Sequence, residues 1–288
     1  MPSDTSNDTD PATAVVAPQS LALAARAIVS TADTAEKVRL AKLTAKAWFG
    51  RQLSLGRLST DAGMPDRPGR PDKPEMLSPR DIPKRSTGGG KGRFAMLHAL
   101  AHIELNAVDM TWDLVGRFVH ENVPRDFFDN WVQVGLEEAK HFDMLANRLV
   151  EMGGQYGDLP AHDGLWQAAQ ATGHDLLARI AVVPLVLEAR GLDVTPSILA
   201  SLEAAGDPAS AHILGIIYRD EKRHVAFGAK WFRYLCGQAG LAPEPTFHRL
   251  VRENFRGPIK PPFNESARSE AGLTPGFYKP LSALGAPK

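Results

Sequence analysis

Cysteine is nearly absent: Cys236 is the single thiol in 288 residues. One thiol excludes an intrachain disulfide, a cysteine zinc site and a cysteine-bound iron–sulfur cluster, so any metal must be held by histidine and carboxylate. Net charge is missing too. The 33 basic residues are matched by 33 acidic ones, which leaves no whole-chain electrostatic case for nucleic acid or an anionic membrane. No apolar run approaches the ~20 residues that span a bilayer, and the opening MPSDTSNDTD lacks the basic-then-apolar pattern of a secretory signal. A soluble, cytoplasmic protein without a membrane partner is expected. Strand and hairpin signals are also scarce, whereas 43% hydrophobic residues are ample for a core at this length.

What is present reads as helix. Residues 1–17, rich in Ser, Thr, Asp, Pro and Ala, are too poor in large apolar groups to fold and are expected to be disordered. Two N-terminal helices follow, SLALAARAIV (20–29) and TAEKVRLAKLTAKAWFGRQL (34–53), the second with Asp33 or Thr34 as its N-cap. From Gly56 to Gly92 the chain carries Pro65, Pro68, Pro71, Pro74, Pro79 and Pro83 and ends in KRSTGGGKGR, which predicts an irregular connector closing the segment 18–92. The glycines do not make a phosphate loop, since Lys91 is followed by Gly92 rather than Ser or Thr.

Four long helical patterns follow within 93–237. The first runs from about Phe94 to Asn122 and the second from about Asp126 to Met152, joined closely enough to form an antiparallel hairpin. The third ends near Asp193, with a small extra helix starting at Thr195 and Pro196. The fourth starts after Asp207, its expected cap. Residues 238–288 are too apolar for a free tail and are expected to wrap the helices.

The chemistry-bearing residues fall on the apolar stripes. GLEEAKHF and RDEKRHVAFG each carry Glu-x-x-His, as Glu138 with His141 and Glu221 with His224. Residues three apart share a helix face, and both pairs lie on core stripes: Trp131, Val134, Glu138, His141, Leu145 and Ile217, Glu221, His224, Gly228, Trp231. Glu104 and Glu188 occupy equivalent positions on the other two helices. The steps from Glu104 to Glu138 (138 − 104 = 34) and from Glu188 to Glu221 (221 − 188 = 33) are nearly equal, so one helical hairpin pattern occurs twice. One Glu from each of two helices and Glu-x-x-His from each of the other two is the arrangement of di-iron and di-manganese carboxylate bundles. Four ionised glutamates and two neutral imidazoles carry four negative charges, which two divalent cations balance and which would otherwise be driven towards protonation.

On these residues, with LAHIELNAVD and LEARGLDVTP, the region of about 94–236 resembles the ferritin-like superfamily, and most of the chain is similar to a bacterial ferritin-like family of unknown function. The resemblance implies an all-α, ferritin-like four-helix bundle with a long crossover between helices two and three. Residues 153–173 can supply it: extended at ~3.3 Å each they outreach a helix of about 25 residues rising ~1.5 Å per residue. It also implies a dinuclear site at Glu104, Glu138, His141, Glu188, Glu221 and His224, holding two iron ions, with manganese or a mixed Mn/Fe pair as alternatives. Glu137 and Asp220 would orient the histidines across the site, Asp220 on His141 and Glu137 on His224. Tyr218, one turn before Glu221, is a candidate redox relay, with a satisfied core tyrosine as the plainer reading. His98 and His102 lie off the Glu104 face and are expected to pack at the surface or in a second layer rather than ligate.

The expected function is a di-iron oxygenase or oxidase that uses O₂ and an electron donor on a small-molecule substrate. An iron-handling ferroxidase or storage protein and a metal-stabilised binding module are the alternatives. The basic PKRSTGGGKGR leaves tRNA a weaker expectation against the zero net charge, and a homodimer is compatible with these features.

Overall fold

The computed structural model describes residues 20–58, 63–82 and 89–282; the disorder expected for 1–17 and the basic residues 83–88 of the connector lie outside them. Eleven α-helices and one π turn account for the regular structure of the described residues, which contain no strand beyond two isolated bridges, Ser20 with Ser54 and Met76 with Ala161. No described helix is long and apolar enough to cross a membrane.

Helix α1 (Leu21–Ser30) forms where expected, and α2 (Thr34–Phe49) starts at the expected Thr34 but ends four residues short of Leu53, at the Gly50 cap. Asp33 is the cap of α2, its carboxylate accepting from the Glu36 N–H at 2.7 Å. This satisfies one of the four N–H groups that a helix start leaves unpaired. Helix α3 (Gly89–Arg117) begins five residues before the expected Phe94. The glycines of GGKGR are tolerated there because Gly89 and Gly90 are exposed, and Arg93 fastens this end to Asp207 at 3.4 Å. Helix α4 spans Arg125–Glu151, and the crossover after it contains α5 (Gly164–Ala171), the short helix expected from DGLWQAAQA.

The third rod departs from expectation twice. It consists of α6 (Leu176–Val182), a π turn (Val183–Glu188) and α7 (Ala189–Ala204) in unbroken succession. Pro184 has no N–H to offer the Ile180 carbonyl, so the four-residue ladder lapses there and an i→i+5 turn ends on Glu188. The break expected near Asp193 does not occur, because α7 continues through Pro196 to Ala204. The Leu192 carbonyl, which Pro196 leaves without its usual donor, accepts instead from the Asn264 side chain at 3.2 Å. A residue 72 − 4 = 68 positions beyond Pro196 thus repairs the ladder.

Helix α8 (Pro208–Gln238) is capped by Asp207, which accepts from the Ser210 N–H at 3.1 Å. Helix α3 packs on α4, α4 on α8, and α8 on the third rod. Two glycines permit close approaches: a Cβ at Gly135 would meet the Trp112 ring at 2.8 Å, and one at Gly228 would meet Pro184 at 2.7 Å. Helices α1 and α2 cover α3 and α4. The tail wraps the other side as α9 (Pro243–Asn254), α10 (Glu265–Glu270) and α11 (Pro275–Ser282), with α9 against α6 and α8 and α10 against α7 and α8. Apolar residues from α1 to α11 form one continuous core, within which Trp48, Trp112, Trp131 and Trp166 are fully buried.

Candidate metal centre

Six predicted side chains converge between α3, α4, the π turn and α8. Glu104, Glu138, His141 and Glu221 bring ligand atoms within 4.8 Å of one another, and Glu188, Glu221 and His224 do the same. Glu221 belongs to both groups. The imidazole centroids lie 5.9 Å apart with the rings tilted by 31°, and Glu138, His141 and His224 have no solvent exposure.

The two halves are built alike. His141 Nδ1 faces Glu104 at 3.3 Å and Glu138 at 3.6 Å, while its Nε2 meets Asp220 at 3.1 Å. His224 Nδ1 faces Glu138 at 2.9 Å and Glu221 at 3.6 Å, while its Nε2 meets Glu137 at 2.9 Å. With Nε2–H donating outward, each ring, once a cation displaces its inner proton, would turn a bare Nδ1 lone pair inward, which is the ligating tautomer. The crossed pairing of Asp220 with His141 and Glu137 with His224 is the one expected. Arg223, which the sequence reading missed, lies against both Glu137 and Asp220. Its position three residues after Asp220 on α8 was the available signal.

Inside this frame, eight buried atoms make no hydrogen bond of good geometry: Glu104 Oε2, both oxygens of Glu138 and of Glu188, Glu221 Oε2, and the Nδ1 atoms of His141 and His224. Buried polar groups are ordinarily paired, so this concentration of carboxylate and imidazole atoms fits a cation. Titration behaviour points the same way. Burial, with the charges of Glu138 and Glu221, pushes the Glu104 carboxyl up to about 8, and His141 only partly relieves it. Burial and Glu221 likewise raise Glu188, and burial and Glu138 raise Glu221. Burial also opposes the charge on Glu138, but its two imidazole neighbours prevail and hold it below the usual carboxylate range. Both histidines are carried well above their ordinary value, since the facing carboxylates outweigh burial. The metal-free cluster therefore keeps protons that a divalent cation would displace. A buried Glu/His cluster able to hold a metal ion is thus present.

One wall of the cluster opens into a cavity of about 320 Å³ whose lining includes Glu104, Glu188 and Glu221. The rest is largely apolar, from Leu100, Ile103 and Met110 of α3 to Phe255, Ile259 and Phe263 of the tail. The tail's part in it was not legible, because its apolar residues are too sparse to show a period.

Other candidates resolve differently. Tyr218 is half-buried, lines neither cluster nor cavity, and its hydroxyl accepts from Asn264 at 3.0 Å. His98 and His102 are not at the surface: both are buried, pinning α3 to the crossover. His98 Nε2 accepts from the Gly157 N–H at 2.9 Å, and His102 contacts the Tyr156 hydroxyl at 2.9 Å and the His162 carbonyl at 3.0 Å. Burial pushes His102 down to about 4, so it is neutral. Neither joins the cluster. Also unforeseen are two buried ion pairs of α3, Asp109 with Lys37 and Asp113 with Arg179.

Comparison with known proteins adds no activity. A protein of Haemophilus influenzae described as "Uncharacterized protein" is 42% identical over 209 residues, covering 71% of this chain and 73% of that protein. No solved structure matches. The model of one family, described as "Protein of unknown function (DUF455)", matches residues 30–279. That match spans most of the chain, from the last residue of α1 into α11, and includes all six clustered side chains, so the chain belongs to this family.

Proposed function

We propose that the protein is a ferritin-like four-helix bundle housing a dinuclear iron centre, and that it oxidises or hydroxylates an organic substrate with O₂. The observation that carries this is the duplicated half-site: two ligand groups share Glu221, each with an inward Nδ1 and an outward carboxylate partner. Glu104, Glu138 and His141 would hold one ion, Glu188 and His224 the other, with Glu221 common to both. Oxygen and imidazole donors suit iron, and they also suit manganese or a mixed pair. When bound and reduced, iron supplies O₂ activation. The chain's own part is to fix the donors. Asp220 and Glu137 hold the two imidazoles in the ligating tautomer, and Arg223 ties those carboxylates together. Apolar side chains around the cavity exclude water.

The cavity favours substrate oxidation over iron storage, since hydrated iron would gain nothing from Ile103, Met110 and Ile259 at the carboxylates. Metal analysis of protein from its native host, with O₂ uptake and the absorption spectrum of the ferrous form exposed to air, is the test. Two irons per chain, O₂ consumption and an oxo-bridged ferric band are expected. Zinc alone, or no O₂ uptake, would leave a metal-stabilised module instead.

A further inference from the structure

The cavity is not apolar throughout. At the end formed by α7 and the tail, Arg268 grips Asp193 through two bonds of 2.8 and 2.7 Å, while Arg190 reaches Asp193 at 3.3 Å and the carbonyls of Lys260 and Pro262 at 3.0 Å each. At this end Arg190, Lys260 and Arg268 stand with Asp193 as the one carboxylate, an excess of two positive charges (3 − 1 = 2), because the other carboxylates of the lining, Glu104, Glu188 and Glu221, belong to the metal cluster. Lys260 is exposed and forms no ion pair with any described residue. Beside Arg268, Tyr278 lines the same cavity, is 1% exposed, and its hydroxyl has no hydrogen-bond partner. A buried hydroxyl left unpaired is costly in a native fold. Here the Tyr278 ring lies under the Arg268 guanidinium, on the wall of a ligand-sized space that Arg190 and Lys260 also line.

We infer that the cavity binds an amphipathic organic acid, its carboxylate held by Lys260, Arg190 and the Tyr278 hydroxyl and its aliphatic or aromatic body lying along the apolar wall towards Glu104, Glu188 and Glu221. This rests on the oxidoreductase reading above, for which it names the substrate class. Asp193 follows Glu188 by five residues on the same rod, a rise of about 7.5 Å at ~1.5 Å per residue. The atom presented to the centre is therefore several bonds from the carboxylate rather than next to it. A neutral hydrocarbon would leave the positive charge and the Tyr278 hydroxyl unanswered, and a cation would be repelled.

Decanoate is a suitable probe, titrated calorimetrically into the full-length protein loaded with zinc so that no turnover occurs, with zinc stoichiometry measured on the same samples. One decanoate should bind per chain, with decanol and acetate each weaker by about tenfold or more, as expected when a charge-assisted bond or the apolar body is lost. Lys260→Glu and Tyr278→Phe should weaken decanoate by about tenfold while leaving decanol unchanged, and Ile259→Trp should block both ligands. Two zinc ions per chain with no decanoate binding, or with decanoate no tighter than decanol, would overturn the inference and leave the metal centre standing. A chain that holds no zinc would overturn the dinuclear reading and this inference with it.

Discussion

Removing the metal should make the protein less stable as pH rises, the reverse of what most carboxylate-rich proteins do on leaving acid. Glu104 sets the sign. Its carboxyl lies at about 8 in the folded, metal-free chain against 4.5 when free. Between those values the native state keeps a proton that the unfolded state has released, so unfolding becomes easier with each increment of pH. At about 1.4 kcal/mol per pH unit, the span amounts to a ceiling of about 5 kcal/mol, shared among groups that titrate together. Glu188 and Glu221 are raised and act in the same direction. His141 and His224, also raised, retain protons that the unfolded chain gives up above 6.5, which steepens the fall. Two groups oppose the trend at the acid end. His102, lowered to about 4, makes stability increase with pH up to 6.5, and Glu138, lowered, loses its stabilising effect as pH drops below 4.5. Between 4.5 and 6.5 the three raised glutamates outweigh His102, so the metal-free chain should be most stable near pH 5 and weaken steadily towards 8. Bound cations hold the ligands deprotonated and should remove that decline. Urea denaturation at pH 5, 6.5 and 8, with and without a chelator, measures it. A metal-free protein whose stability is flat or increasing from pH 6.5 to 8 would refute the buried-charge account of the cluster.

Glu138→Ala should lose at least one metal, because Glu138 faces both histidines; unchanged stoichiometry by elemental analysis would contradict the ligand assignment. Asp220→Asn should keep the fold, by circular dichroism, and weaken metal affinity by about 10–100-fold, the usual effect of removing a group that orients a ligating histidine. Asp113→Ala should destabilise by about 3–5 kcal/mol in denaturant titrations, since Arg179, 1% exposed, would be left as a buried charge without its carboxylate. Asn264→Ala should cost about 2–3 kcal/mol, combining a lost cap with an unpaired Leu192 carbonyl.

The cluster was legible because helical geometry translates spacing into position. Glu138 with His141 and Glu221 with His224 share a face whatever else the fold does, and their placement on apolar stripes points them inward. The pairing of each histidine with a carboxylate on another helix needed the resemblance, and the coordinates bring those groups together. Features that rest on distant partners were not legible. Pro196 reads locally as a helix start, and only Asn264 in the tail lets α7 pass through it. The π turn depends on a missing donor at Pro184, which apolar periodicity does not register. The Arg268–Asp193 pair joins residues 75 apart, and neither has a local pattern to mark it.

Asn264 has a wider consequence. Its side chain accepts from the Ala267 N–H to start α10 and donates to Leu192 to sustain α7, while its own N–H reaches Asp193 at 2.9 Å. Trimming the protein to its four longest rods would therefore not yield a smaller working unit. Without the last fifty or so residues, α7 would lose the group that bridges its gap at Pro196, and Asp193 would lose the closer of its two arginines. The tail belongs to the architecture as a keystone belongs to an arch, which leaves its sequence less liberty to drift than a surface wrapping would suggest.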